Sequence, residues 1–194
     1  MMTTAPAAAP PIPTPYRFTA DEYDALIRYG LLRPDARLEL IEGAIIEMSP
    51  IGADHATCVR ALIRLLSAFS QEGAILDVQN PIRLSEQAQP QPDVILLQPQ
   101  PDLYKGRHPR PAEVLLLVEV ADSTLAFDRG TKIPLYARAG IREVWLVDLP
   151  NQTIEIYTQP TPQGYEQVTA VRRGQTFQSA TLAGAAVAAN AILL

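Results

Sequence analysis

Two carboxylates stand where the surrounding sequence offers them little solvent. Asp93 follows Pro92 at the mouth of the apolar run Val94-Ile95-Leu96-Leu97, and Glu119 interrupts a second run, Val114-Leu115-Leu116-Leu117-Val118-Glu119-Val120. A carboxylate among apolar side chains is costly unless partnered. A divalent cation is an economical partner for two converging acids, because a hard ion such as Mg2+ or Mn2+ takes oxygen ligands and keeps waters for chemistry. The strand carbonyl of Val120 completes the expected ligand set.

Strand alternation puts Leu117, Glu119 and Ala121 on one face, so a lysine at the last position would lie beside Glu119. That position holds alanine. The nearest downstream amine is Lys132, on a predicted helix able to fold back across the strand end, where it would orient or deprotonate an attacking water or balance charge on a phosphate. Asp128, one helical turn earlier, is placed to cap that helix or pair with the lysine. Each residue also has a plainer reading: Asp93 as a turn former after proline, Glu119 as half of a buried ion pair, and Lys132 as a solvated helix lysine. For His55 the plain reading is a cap or packing residue, with Asp54 as its hydrogen-bonding neighbour. Tyr136 reads as packing.

The elements around these residues follow from periodicity. Thr19, Asp21 and Glu22 open a short helix that reaches about Tyr29, with Gly30 closing it. Residues 37–48 alternate apolar and charged side chains about Glu42-Gly43, predicting a hairpin with Leu38, Leu40 and Ile46 facing inward. Val59, Leu62, Ile63, Leu66 and Phe69 recur at helical spacing between His55 and Phe69, and Gly73 ends that helix. Residues 74–78 read as a strand, and Pro81 to Leu84 as a short extended piece. The runs at 94–97 and 114–120 are apolar enough for central strands covered on both faces. A helix is expected from about Arg129 to Ala139, with Pro134 forcing a late start or a bend and Gly140 terminating it. Glu143 to Asp148 predicts another core strand, Thr153 to Tyr157 a more exposed one, and Tyr165 to Val171 a returning strand; the tail from Leu182 to Leu194 is ambiguous.

A chain of 194 residues suits one domain with a sizeable core. Residues 1–15, rich in Ala, Thr and Pro, read as a disordered lead-in lacking the charge and apolar core of a secretory signal, which leaves 16–194 as the domain. No apolar run approaches the roughly 20 residues needed to span a bilayer, so a soluble chain without a membrane partner is expected. The single cysteine, Cys58, excludes an internal disulfide and fits a reducing cytoplasm. A net charge of −5 gives no global basic footprint, so nucleic-acid binding must rest on local patches such as Lys105, Arg107 and Arg110, or Arg172 and Arg173.

Several segments, in order, resemble one family. Leu38-Glu39-Leu40-Ile41-Glu42-Gly43, Met48-Ser49-Pro50, His55, Pro92-Asp93-Val94, Val118-Glu119-Val120, Asp128 through Lys132, Tyr136-Ala137 and Glu143-Val144-Trp145-Leu146-Val147-Asp148 are similar to the Uma-two family of restriction-endonuclease-like proteins in the PD-(D/E)XK superfamily. The ordered set carries the resemblance, and it spans nearly everything after the lead-in. It implies an α/β fold with a mixed sheet flanked by helices, and an acidic metal site hydrolysing phosphodiesters, with DNA as the substrate. By this analogy Asp93 and Glu119 are metal ligands, Lys132 is the lysine moved from the strand to the neighbouring helix, and Glu39 is a supporting acid. Two other readings stand beside the nuclease: a binding or regulatory module with the same fold and little turnover, and a structural homodimer assembled through a sheet edge or the tail. A homodimer is the expected assembly.

Overall fold

The computed structural model describes residues 14–71, 73–182 and 185–194. Most of the lead-in expected over 1–15 therefore lies outside the described residues. Six strands form the main sheet in the order β3-β4-β5-β6-β7-β8: β3 (Ile75–Val78), β4 (Val94–Leu97), β5 (Val114–Ala121), β6 (Glu143–Asp148), β7 (Thr153–Thr161) and β8 (Gly164–Arg172). Only β5 and β6 run parallel; the other neighbours are antiparallel. The sheet is mixed and flanked by helices, as the apolar strand pattern predicts.

Alternation along the central strands splits the core into two layers. Val94, Leu96, Leu116, Val118, Trp145 and Val147 face α2 (Ala53–Gln71), whose Cys58, Val59, Leu62 and Leu66 fill that layer. Ile95, Leu97, Leu117, Ala121, Val144 and Leu146 face the other way, onto Ile133, Leu135 and Tyr136. Glu119 shares parity with Leu117 and Ala121, so its side chain enters the second layer.

The parallel β5–β6 pair needs a crossover, since antiparallel hairpins cannot join parallel strands. Three consecutive helical pieces supply it: α3 (Leu125–Phe127), a wider π-type turn (Asp128–Lys132) and α4 (Ile133–Arg138). The helix thus starts earlier than the expected Arg129. Pro134 stands in the first turn of α4, where its missing N–H matters least. The turn just before it is the wider π-type one, and Gly140 at φ +81° ends the segment. This crossover lays Lys132 and Tyr136 across β5.

α1 (Ala20–Arg28) opens with a capping box between Thr19 and Glu22. It packs on a separate hairpin of β1 (Leu38–Ile41) and β2 (Ala44–Glu47), joined by Glu42 and Gly43 at φ +49° and +77°. A Cβ on Gly43 would meet Arg17 Cβ at 2.7 Å, so both space and backbone conformation demand glycine there. The pairing of Leu40 with Ile45 and of Glu39 with Ile46 corrects one expectation. Leu38, Leu40 and Ile45 share the α1 side, whereas Ile46 lies on the opposite face with Glu39, because a two-residue turn fixes the register. Both hairpin faces are covered, which is why Glu39 is buried rather than solvated. Residues 81–84 join no named strand, although Ile82 and Leu84 are buried.

The tail contributes β9 (Thr176–Gln178) and β10 (Ala186–Ala188), an antiparallel pair that sets Phe177 edge-on against Trp145 at 4.9 Å. Glu143, fully buried and in no ion pair among the described residues, fastens this unit to the sheet. Its carboxylate accepts from Trp145 Nε1 at 2.7 Å, Ser179 Oγ at 3.0 Å, and Thr181 N and Oγ1, each at 2.8 Å. Glu143→Ala strands those donors in a dry site, so urea unfolding should report a loss of about 3 kcal/mol.

Candidate active site

Asp93 directly precedes β4, and extending the Val94↔Val118 register by one step sets it opposite Glu119 on β5. Both acids line one cleft with Glu39, His55, Asp128 and Lys132. Its floor is strand ends and its far wall is the β1–β2 hairpin. Its mouth is formed by Arg37, residues 48–52 and residues 122–124. About 40 Å³ of room remains inside, enough for an ion or a few waters rather than an organic cofactor.

Asp93 is fixed from three directions. Its Oδ2 accepts the Val120 N–H at 2.9 Å and lies 3.0 Å from His55 Nε2, while Oδ1 accepts from Gln79 Nε2 at 3.1 Å. Burial pushes this carboxyl upward, but the His55, Val120 and Gln79 contacts outweigh it and hold Asp93 below its ordinary range. It is an anion in the fold. The pairing of His55 with Asp93 displaces the expected partnership with Asp54. Val120 contributes its N–H to Asp93 while also lining the cleft.

Glu119 is held differently. Lys132 Nζ lies 2.7 Å from its Oε1, and the Tyr136 hydroxyl donates to the same oxygen. Both contacts are made to Oε1, so Oε2 carries neither. Burial and the nearby Asp93, Asp128 and Glu39 push Glu119 up to about 8, against the pull of Lys132. Lys132 is 1% exposed and bridges to Glu39 Oε2 at 3.2 Å. Burial alone would lower this amine, but Glu119, Glu39 and Asp128 raise it above its usual value and keep it charged. Glu39 and Asp128 are both raised, chiefly by burial. Asp128 accepts from Thr124 Oγ1 at 2.6 Å and makes no ion pair with Lys132 among the described residues, contrary to the pairing option.

The structure therefore brings Asp93, Glu119, Lys132, Glu39 and Val120 into one cleft. Sequence reasoning missed two contributors there. Tyr136 read as packing, although its place four residues after Lys132 puts both on one helical face; Gln79 carried no signal in the sequence. The basic residues of the 104–111 loop are not at this cleft. Arg107 makes a bidentate pair with Glu113, with contacts of 2.6 and 2.8 Å, and stacks over Tyr104. Arg172 closes the distant edge strand β8. Arg37 is the cation at the cleft mouth.

Among the described residues no three His, Cys, Asp or Glu side chains are grouped to hold a metal ion. The donor set nevertheless suits a hard cation. Glu39, Asp93, Glu119, Asp122 and Asp128 line the cleft against Arg37 and Lys132, an excess of carboxyl oxygen donors over cationic side chains. Mg2+ commonly takes only one or two carboxylates and fills its remaining positions with water. Asp93 and Glu119 offer that pair.

Comparison with known proteins agrees with this architecture. No curated protein matches the sequence. A solved structure described as a putative nuclease belonging to DUF820, from Anabaena variabilis, superposes with a TM-score of 0.68 at 14% identity, over 91% of this chain and 97% of that one; at that identity the likeness is one of fold. Among the described residues no helix is long and apolar enough to cross a membrane. The sequence profile of the Uma2 (Uma-two) family, described as "Putative restriction endonuclease", matches residues 20–190, and the chain belongs to that family.

Proposed function

We propose that this protein is a metal-dependent endonuclease that hydrolyses phosphodiester bonds in DNA. The observation that carries the reading is the convergence of Asp93, Glu119 and a buried, charged Lys132 in one polar cleft. Mg2+ or Mn2+ would be held by Asp93 and Glu119 with the Val120 carbonyl, and when bound it supplies Lewis acidity and a more acidic water. The chain's own groups do the rest. His55, Gln79 and the Val120 N–H aim the Asp93 carboxylate, and Tyr136 and Lys132 aim that of Glu119. The Lys132 ammonium stands where charge develops on the attacked phosphate, and it orients the attacking water. Glu39 keeps that amine charged and in place. Arg37 at the cleft mouth gives the phosphate backbone a first cation.

The buried Cys58 thiol, pushed up to about 12 chiefly by burial, stays protonated and takes no part in the chemistry. The arrangement is also compatible with a module that binds nucleic acid without turnover, because Lys132 is committed to two carboxylates.

Calorimetric titration with Mn2+, run beside nicking of supercoiled plasmid, tests the proposal. Wild type binds and nicks; Asp93→Asn and Glu119→Ala lose both, and no Mn2+ binding by wild type would refute it. Binding without nicking by wild type would establish the inert module instead. Lys132→Met keeps its Mn2+ binding while nicking falls about 100-fold.

The raised carboxyls give a pH signature with a definite sign. A group whose folded value lies above its unfolded one favours the fold at low pH, and that contribution is lost as pH rises from the unfolded towards the folded value. For Glu119 this window runs from the usual carboxylate range to about 8. Metal-free protein should therefore melt at progressively lower temperature between pH 6 and 8, with a slope of up to about 1.4 kcal/mol per pH unit. Glu119→Gln should flatten the slope in thermal melts, and Mn2+ should counter it, binding more tightly as the competing proton leaves.

A further inference from the structure

The outer face of α2 carries two arginines that the fold does not use. With about 3.6 residues per turn, Ala53, Thr57, Arg60, Arg64 and Ala68 fall on the side of the helix turned away from the core residues Leu62 and Leu66, and all five are exposed. Neither arginine enters an ion pair among the described residues. The helix itself supplies no partner, because its one acid is Asp54 in the first turn and no acid stands three or four residues from Arg60 or Arg64. The two stand four residues apart instead, a spacing at which like charges destabilise a helix. Both lie before the last turn, which holds no basic residue, so the helix dipole does not reward them either. Among the described residues nothing offsets their repulsion.

α2 also starts at the mouth of the cleft. Gly52 forms part of that mouth, and His55 in the first turn lines the cleft. From His55 the helix rises about 8 Å to Arg60 and about 14 Å to Arg64, so the two cations lead away from the mouth one after the other. Ala53 and Thr57, the outward side chains before them, are small enough for a sugar-phosphate backbone to lie close. The acid at this end sits on another flank: Asp54 is turned about 80 to 120° around the helix from the arginines, and with Asp122 and Leu149 it lines a separate depression. Lys105, Arg110 and Arg172 stand on elements that contribute nothing to the lining of the cleft.

We propose that the outer face of α2 is the docking surface for the phosphate backbone of duplex DNA, with Arg60 and Arg64 each neutralising one phosphate in the segment that flanks the phosphate in the cleft. The inference rests on the nuclease reading and adds to it the path of the uncut part of the substrate. A chain with a net charge of −5 needs a local cationic track to hold a polyanion. The guanidinium forks match phosphate oxygens in pairs. Such contacts position the duplex without reading its sequence.

Two measurements test this together: fluorescence anisotropy of a labelled short duplex in EDTA, where nothing is cut, and plasmid nicking in Mn2+, with thermal melts confirming that each variant is folded. Arg60→Gln combined with Arg64→Gln weakens duplex binding about tenfold at low salt and makes the slope of log affinity against log salt shallower by about 2, since each lost phosphate contact removes nearly one released counterion. Arg60→Lys with Arg64→Lys keeps the wild-type slope. In nicking, the effect of the glutamine pair falls on KM rather than kcat, and Mn2+ binding is retained, because neither arginine lines the cleft. Arg172→Gln with Arg173→Gln, at the far edge of the sheet, serves as the control for lost charge alone. A glutamine pair with wild-type affinity, slope and KM, or an equal loss in the Arg172 and Arg173 control, would overturn the proposal and leave the nuclease reading in place. Wild-type protein that neither binds duplex nor nicks plasmid would overturn both.

Discussion

The ammonium of Lys132, sealed between Glu119 and Glu39, is the constraint to which the rest of the site is fitted. Removing one member of such a buried group leaves an uncompensated charge, at a cost of roughly 3 to 5 kcal/mol. The three residues come from three separate elements: the β1–β2 hairpin, the central strand β5 and the crossover. Their ion pairs therefore hold the hairpin against the sheet and fix the angle of the crossover. They also determine what the cleft can do. A charged amine among several acidic side chains is what the proposed phosphodiester hydrolysis would use, and those acids are the donors the proposed cation would take.

Asp93 and Glu119 are neighbours across one strand pair, yet their environments push them apart. Asp93 is held as an anion by donors on three sides, and Glu119 is raised by burial and by the acids around it. Under the proposed metal-binding role Asp93 would be the standing ligand and Glu119 would become a full one as its proton leaves, which would tie metal affinity to pH. His55 and Tyr136 act through these acids, each fixing the orientation of one carboxylate by a single contact.

Much of this was legible in the sequence because burial is written in apolar runs. The carboxylate inside 114–120 declared itself by the cost of its position, and alternation correctly set Glu119 on the face shared with Leu117 and Ala121. The ordered family resemblance supplied the mixed sheet and the family, both of which the fold comparison and the family match show. What alternation could not reveal was which hairpin face is wet. Ile46 read as a companion of Leu40, and only the family resemblance pointed to Glu39, because the crossover that covers the Glu39 face lies some ninety residues further along the chain. The same limit applies to Gln79 and to the His55–Asp93 contact, which span 14 and 38 residues. The Arg107–Glu113 pair shows the converse: one of the three cations of a locally basic loop is paired with an acid only six residues away.

The most direct measurement is the anomalous scattering of Mn2+ soaked into crystals of the wild-type chain. A single strong peak between the Asp93 and Glu119 carboxylates, with Lys132 Nζ beside it, is the expected result. A peak that avoids those two acids, or none at saturating Mn2+, would contradict the assignment of this cleft as a metal-dependent active site.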